Sequence, residues 1–269
     1  MAGNSGDPGT SVASRLLAVL GAFDGGHQRL QLAQIARRAG LPLSTAHRLV
    51  GELHAWGGLV RAGDGRYEVG RRLWDIGNLA AVQRDLREAA SPYLQDVHGT
   101  TGETVHLAVR DGLHALYVER VVGRTSARVL SRTGTRLPLH ATAVGKVLLA
   151  AAPDEVARAA LTAPARVTVW TITEPGRLAR ELQQARRRGF ARTSQEMTPG
   201  AWSVAVPVAV PVAVEGRVAG QGPVPGGTVV ASLGIVVASG ARDLARLVPV
   251  LQVAAAGIGR ALPTGWRPS

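Results

Sequence analysis

The sequence predicts an α+β protein of two parts, a small helical N-terminal unit and a larger C-terminal domain of mixed strands and helices. Three observations predict it. Over residues 10–70, three short stretches with helical apolar spacing precede a tight glycine turn flanked by alternating residues. From Glu103 the pattern changes to strands, beginning with two runs around Asp111-Gly112. Helical stretches then mix with strands without the strict alternation of a doubly wound sheet. The 269 residues suit one large or two modest domains, and a 46% hydrophobic content supplies a core for both.

Residues 1–9 are rich in Gly, Ser and Asn and read as disordered. The first helix starts at Ser11 or Thr10 as N-cap, with Val12, Leu16, Val19, Leu20 and Phe23 at helical spacing, and Asp24-Gly25-Gly26 end it. The second helix puts Leu32, Ile35 and Ala36 on one face and stops at Gly40. After the turn Ala39-Gly40-Leu41-Pro42 comes a third helix, with Ser44 as its natural N-cap and Leu49, Val50, Leu53 and Trp56 pointing inward. LVRAGDGRYEVG then alternates on both sides of Gly63-Asp64-Gly65, a hairpin pattern. Helix, helix, short turn, helix, hairpin is the order of a winged helix-turn-helix, here assigned to residues 10–70.

Residues 71–101 read as a helical linker carrying Leu73, Ile76, Leu79, Val82 and Leu86, restarted at Ser91-Pro92. The second domain, residues 102–264, opens with a hairpin whose turn at Asp111-Gly112 sets His106 opposite Tyr117. A short strand is expected at residues 128–131. Helices follow at ATAVGKVLLA, PDEVARAAL and PGRLARELQQARRRG, then long apolar strands at residues 204–214 and 228–238. A Gly/Pro-rich loop over 215–227 joins those strands, and a last helix over 241–261 closes the domain.

Composition narrows the function. Cysteine is absent, which excludes disulfides, thiolate metal sites and cysteine nucleophiles and fits a reducing, cytoplasmic setting. The apolar runs are broken well short of the ~18 residues of a membrane span. Net charge is +12, from 30 Arg and one Lys, Lys146, against 19 acids. Such a balance invites a polyanionic partner, although residues 1–70 hold only seven arginines against five acids. Arginine richness with almost no lysine also has the look of a genome-wide bias.

The site residues follow from position. Ser44, Thr45, His47 and Arg48 fall in the first turns of the third helix, where side chains reach base edges in double-stranded DNA. Arg48 has the fork that bonds guanine O6 and N7, while Ser44 and Thr45 suit phosphates or a cap. Arg61 and Arg66 flank the hairpin turn and can reach the minor groove or a phosphate. Thr142 caps the helix that follows it, so the N–H groups of Ala143, Val144 and Gly145 are placed to face an anion. Equally, Gly145 serves close packing alone. Gly145-Lys146 is not a phosphate loop, since His140 stands where Gly is required and Val147 where Ser or Thr is. No hydrolase, metalloprotease or dinucleotide motif occurs, and His98, His106, His114 and His140 include no i, i+4 pair. Neither enzyme activity, cofactor nor metal is expected. A metabolite-processing enzyme with a helical N-terminal module and a protein-interaction scaffold are the rival readings.

Three stretches resemble the IclR family of bacterial transcriptional regulators: residues 11–70, LPLHATAVGKVLLA (Leu137–Ala150), and GFARTSQEMTPGAWSVAVPV (Gly189–Val208). The resemblance implies a winged helix-turn-helix joined to a GAF-like effector-binding domain with a curved antiparallel sheet. It implies a homodimer or homotetramer on a palindromic operator, acting as repressor or activator, with a small organic acid as effector and no membrane association. Carried onto this chain, the family's pocket falls at Ala143, Val144, Gly145, Thr193, Ala201, Ser203, Gly234 and Val236. The chain departs from the family where Thr193-Ser194-Gln195-Glu196 keeps a single charge, and where the last core strand reads Ala231-Ser232-Leu233-Gly234-Ile235-Val236. A mainly apolar pocket with few hydroxyls then favours one carboxylate on an apolar body.

Overall fold

The computed structural model describes residues 11–79, 83–123, 131–211, 227–238 and 243–267. Residues 1–9, positions 128–130 of the expected short strand, and the loop residues 215–226 lie outside them. The chain divides into two compact units at Ala81/Val82.

The first unit runs α1 (Val12–Gly21), β1 (Arg29–Leu30), α2 (Leu32–Ala39), α3 (Leu43–Trp56), β2 (Leu59–Arg61), β3 (Tyr67–Val69) and α4 (Arg71–Leu79). Ser11 caps α1 by accepting the Ser14 N–H at 3.0 Å. The helix ends at Gly21, before the expected Asp24; that carboxylate instead accepts the Gly26 N–H in the following turn. Gly40 stops α2 in the left-handed region at φ 65, and the Leu41 N–H returns to Ala36 O at 2.9 Å. Ser44 is not the N-cap of α3. Pro42, with ψ 144, holds that position, so the helix begins two residues early at Leu43 and Ala46 N–H donates to Pro42 O. The wing gains a strand unseen in the sequence pattern: β1 pairs antiparallel with β3, giving the order β1-β3-β2. Val19, Leu30, Ile35, Leu49, Val50, Leu53 and Leu59 form the core.

The second unit begins with α5 (Arg84–Thr101), one continuous helix that contains Pro92 on an exposed face and does not restart there. Proline costs the helix the bond its N–H would make to the Glu88 carbonyl, and on this exposed face water can take that carbonyl, so the helix passes through it. Leu86, Ala90, Leu94 and Val97 bury α5 in this unit's core, so the stretch expected as a linker is divided between the units. Then come β4 (Thr104–Asp111), β5 (His114–Val121), β6 (Arg136–Pro138), α6 (Ala143–Ala150), α7 (Asp154–Thr162), α8 (Pro175–Arg188), β7 (Ala191–Ser194), β8 (Trp202–Pro211), β9 (Gly227–Val237) and α9 (Val248–Ala261). A 3₁₀ turn at Leu244–Leu247 precedes α9, which starts later than the sequence suggested.

All six strands pair antiparallel in the order β6-β5-β4-β9-β8-β7. The β4–β5 turn is Gly112-Leu113, since Asp111 pairs with His114. With a bulge at Leu107/Ala108, His106 pairs with Arg120, and its ring meets the Tyr117 ring edge-on from a diagonal position at 5.2 Å.

The two sheet faces differ. Val204, Val206, Val208 and Val210 of β8, with Leu233, Ile235 and Val237 of β9, pack against α5 and α9. The alternate positions Ser203, Ala205, Ser232, Gly234 and Val236 are small or hydroxylic, and α6 lies over them. Large residues on one face seal a core; small ones on the other leave room for a cavity. The stretch Leu244–Ala261 is long and apolar enough to cross a membrane, yet Val248, Leu251, Ala254, Ala255 and Ile258 are buried in that core.

Candidate functional site

In the first unit, the core face of α3 (Ala46, Leu49, Val50, Leu53) fixes which residues point out. Ser44, His47 and Arg48 are exposed, Thr45 is half-buried, and no hydrogen bond or ion pair holds the Arg48 guanidinium among the described residues. A free guanidinium on the second helix of the motif can bond a base edge without first breaking a contact. The wing arginines are tethered. Arg61 lies over the Tyr67 ring at 5.9 Å, and Arg66 sits 3.7 Å from Asp64. Arg38, also on the surface, is taken up by Asp24 at 2.5 Å and by Ala22 O.

In the second unit a small, partly open cavity of about 40 Å³ lies over the small-residue face of the sheet. Of the residues the family resemblance implied, Thr193, Ala201, Ser203 and Val236 line it. Strand register explains the grouping: Thr193 pairs with Ser203, and Ser203 with Val236, so all three stand in one row across β7, β8 and β9. Thr193 and Ser203 hydroxyls are hydrogen-bonded at 2.5 Å. Ala143, Val144 and Gly145 are buried in the first turn of α6 beside the cavity. Gly145 N–H donates to Thr142 Oγ1 at 3.1 Å, so that amide is occupied by its own cap. A Cβ on Gly145 would stand 2.3 Å from Leu139 O, and one on Gly234 would stand 2.8 Å from Val144 Cγ1. Both glycines serve close packing of α6, on its preceding turn and on the sheet.

Thr142, the cap of α6, also lines it, and Tyr117, Ser131, Leu137, Met197 and Thr198 complete the lining; these last five were not singled out as pocket residues from the sequence. Their signal is weak because they come from four separate segments. Tyr117 lies beside the Thr142 hydroxyl, and burial holds its phenol neutral, above its ordinary range. His106 accepts or donates at Nε2 to Ser131 Oγ, 2.9 Å away. Burial, and secondarily the Arg120 charge, lower the His106 pKa to about 3, so the ring is neutral. The cavity wall thus contains six hydroxyls and no charged side chain.

Charge is present just outside it. Lys146 on α6 and Glu196 in the β7–β8 loop form an ion pair at 2.7 Å, with 1% and 7% of their side-chain surfaces exposed. Glu196 Oε2 has no hydrogen-bond partner, and burial pushes the carboxyl above its ordinary pKa while Lys146 pulls it back. Thr168 and Thr171 hydroxyls donate to the Gln195 and Glu196 carbonyls, pinning the same loop. The single lysine was the available signal for this pair. No cluster of three potential metal ligands occurs among the described residues.

A helix-turn-helix with an open reading face and a separate sensor unit with a hydroxyl-lined cavity define a ligand-responsive DNA-binding regulator. The chain belongs to the IclR family of bacterial transcriptional regulators. The family's helix-turn-helix domain matches residues 12–63 and its C-terminal domain residues 79–218. The transcriptional regulator XynR of Escherichia coli is 34% identical over 197 residues, 72% of this chain and 78% of that protein. The glycerol operon regulatory protein of Streptomyces coelicolor is 34% identical over 196 residues, covering 72% and 77%. An IclR homologue from Microbacterium hydrocarbonoxydans, crystallised with 4-hydroxybenzoate, superposes with a TM-score of 0.80 at 33% identity, covering 94% of this chain and 99% of that one.

Proposed function

We propose that this regulator acts in the cytoplasm as a homo-oligomer on a two-fold symmetric operator, and that a small organic acid in the β7–β8–β9 cavity sets its operator affinity. The observation that carries the effector reading is the lining: hydroxyls on an otherwise apolar wall, free of charged side chains. Such a wall orients a ligand by hydrogen bonds; its Ser131 hydroxyl meets His106 Nε2 at 2.9 Å, but burial makes that imidazole too weak a base to activate it, so binding without turnover is its function. The 4-hydroxybenzoate carried by the Microbacterium homologue supports an acid with an apolar body. At about 40 Å³ the cavity is smaller than the roughly 300 Å³ of an ordinary ligand pocket, so binding widens it. The segment that yields is the one carrying Met197, Thr198 and Ala201.

Arg48 reads bases and Arg61 and Arg66 contact phosphate in this proposal, with Ser44, Thr45 and His47 around them. One winged helix covers too little DNA for useful affinity alone, and two copies supply the rest. Footprinting on the DNA upstream of the protein's own gene tests the reading. Protection of two inverted half-sites supports it, and a single unrepeated half-site overturns it.

A further inference from the structure

A second recess lies outside the inner cavity. It is an open groove of about 390 Å³ bounded by α8, β7, the start of β8 and the 3₁₀ turn Leu244–Leu247. Two guanidiniums line it, Arg177 from α8 and Arg192 from β7, and neither is held in an ion pair. Three carboxylates share the groove, but two are already engaged. Glu196 is paired with Lys146. Asp243 accepts the Ala245 N–H and sits 3.6 Å from Arg246. Glu181 alone is left against the two arginines, so the groove keeps an excess of one positive charge. Half-buried Trp202 and buried Ile172 give it an apolar wall, and the exposed Ser194 adds a hydroxyl.

We propose that this groove is a second ligand site, for a small monoanion with a flat apolar body. Two guanidiniums approaching from different elements can hold a carboxylate or sulfonate from two sides, while the body lies on the indole. Glu181 limits the ligand to one charge, because a second anionic group would meet its carboxylate. Thr193 belongs to both the groove and the inner cavity, so the two sites share a wall but differ in chemistry. The inner one is neutral and hydroxylic, the outer one cationic.

The probe is 8-anilino-1-naphthalenesulfonate, an aromatic monoanion, titrated by fluorescence into the full-length protein. Arg177→Gln with Arg192→Gln should weaken its binding at least tenfold, and Glu181→Gln should tighten it several-fold. Ala201→Phe, which fills the inner cavity, should leave it unchanged. Both arginines are exposed, and an unchanged thermal unfolding transition of the second unit verifies that the double variant is folded. Unchanged affinity in the double variant, or no gain with Glu181→Gln, would overturn the proposal. So would loss of binding in Ala201→Phe, because the probe would then occupy the inner cavity.

Discussion

Lys146 Nζ lies 2.7 Å from Glu196 Oε1, and the pair ties the first half of α6 to the loop that covers the cavity. The chain's 30 arginines show how readily it uses the other cation, yet this place holds its one lysine. A compact ammonium fits between α6 and the loop, where a planar guanidinium with five donors would leave several of them unmet.

Breaking the pair from one side should therefore be expensive. Lys146→Met leaves a buried carboxylate without its cation and should cost about 3–5 kcal/mol in the second unit. Lys146→Met combined with Glu196→Leu should recover most of that loss. Chemical denaturation of the three proteins checks the order, and a single variant as stable as the parent contradicts the geometry.

Acid stability should carry the mark of His106. Its pKa is about 3 in the folded protein against an ordinary 6.5, so between those values the unfolded chain binds the extra proton. The stabilisation is complete above pH 6.5 and is lost as pH falls toward 3, by up to roughly 1.4 kcal/mol per unit. Glu196 works in the opposite sense. Its raised pKa favours the folded state at low pH, and that benefit fades as pH rises above its ordinary 4.5. The difference between the parent and His106→Phe isolates the histidine. It should shrink steadily from pH 6.5 to 4.5, and a constant difference in melting temperature would contradict the assignment.

Substitutions at the α6–sheet contact should act on packing before they act on ligand. A Cβ on Gly234 meets Val144 Cγ1 at 2.8 Å and Ala205 Cβ at 3.1 Å, so Gly234→Ala must lift α6 and should cost about 1–3 kcal/mol. Val144→Asp buries a carboxylate at the same contact and should destabilise the unit as a whole. Selective loss of ligand response belongs instead to Ala201→Phe. Comparing thermal stability and response for the three variants separates the two effects; an unchanged melting temperature for Val144→Asp would show that position to be open.

On the DNA-binding face, Arg48→Ala should lose about 1–3 kcal/mol of operator affinity with little change in non-specific binding. Arg66→Ala should matter less than its position in the wing suggests, because Asp64 already draws its charge. Arg61→Ala should flatten the salt dependence as a phosphate contact is lost. Affinities measured over a salt series check all three, and an Arg66→Ala loss exceeding that of Arg48→Ala would reverse the assignment.

The first unit was largely legible because its determinants are local: the Ser11 cap, the Gly40 stop and the Gly63-Asp64-Gly65 turn each act within a few residues. Strand β1 escaped because two residues cannot show alternation; only its pairing with Tyr67 and Glu68 makes it a strand. Ser44 misled because Pro42, two residues earlier, takes the cap position ahead of a hydroxyl. In the second unit, the alternation of Val204, Val206 and Val208 with Ser203, Ala205 and Pro207 announces two unlike sheet faces. The strand pattern brought His106 to Tyr117, but the bulge at Leu107/Ala108 leaves no local trace, so the diagonal placement of the pair and the meeting of His106 with Ser131 and Arg120 could not be derived from it. Tyr117, Met197 and Thr198 reach the cavity through register and loop geometry that a single sequence does not encode locally.

In the proposed function, the neutral cavity of the second unit controls DNA binding by the first. The direct measurement is fluorescence anisotropy of an operator fragment with the parent and with Ala201→Phe, each titrated with 4-hydroxybenzoate and with any acid that raises the melting temperature of the parent. The account predicts that such an acid shifts the parent's operator affinity at least fivefold, and that Ala201→Phe binds the operator normally but ignores the acid. An acid response that persists undiminished in Ala201→Phe would contradict it.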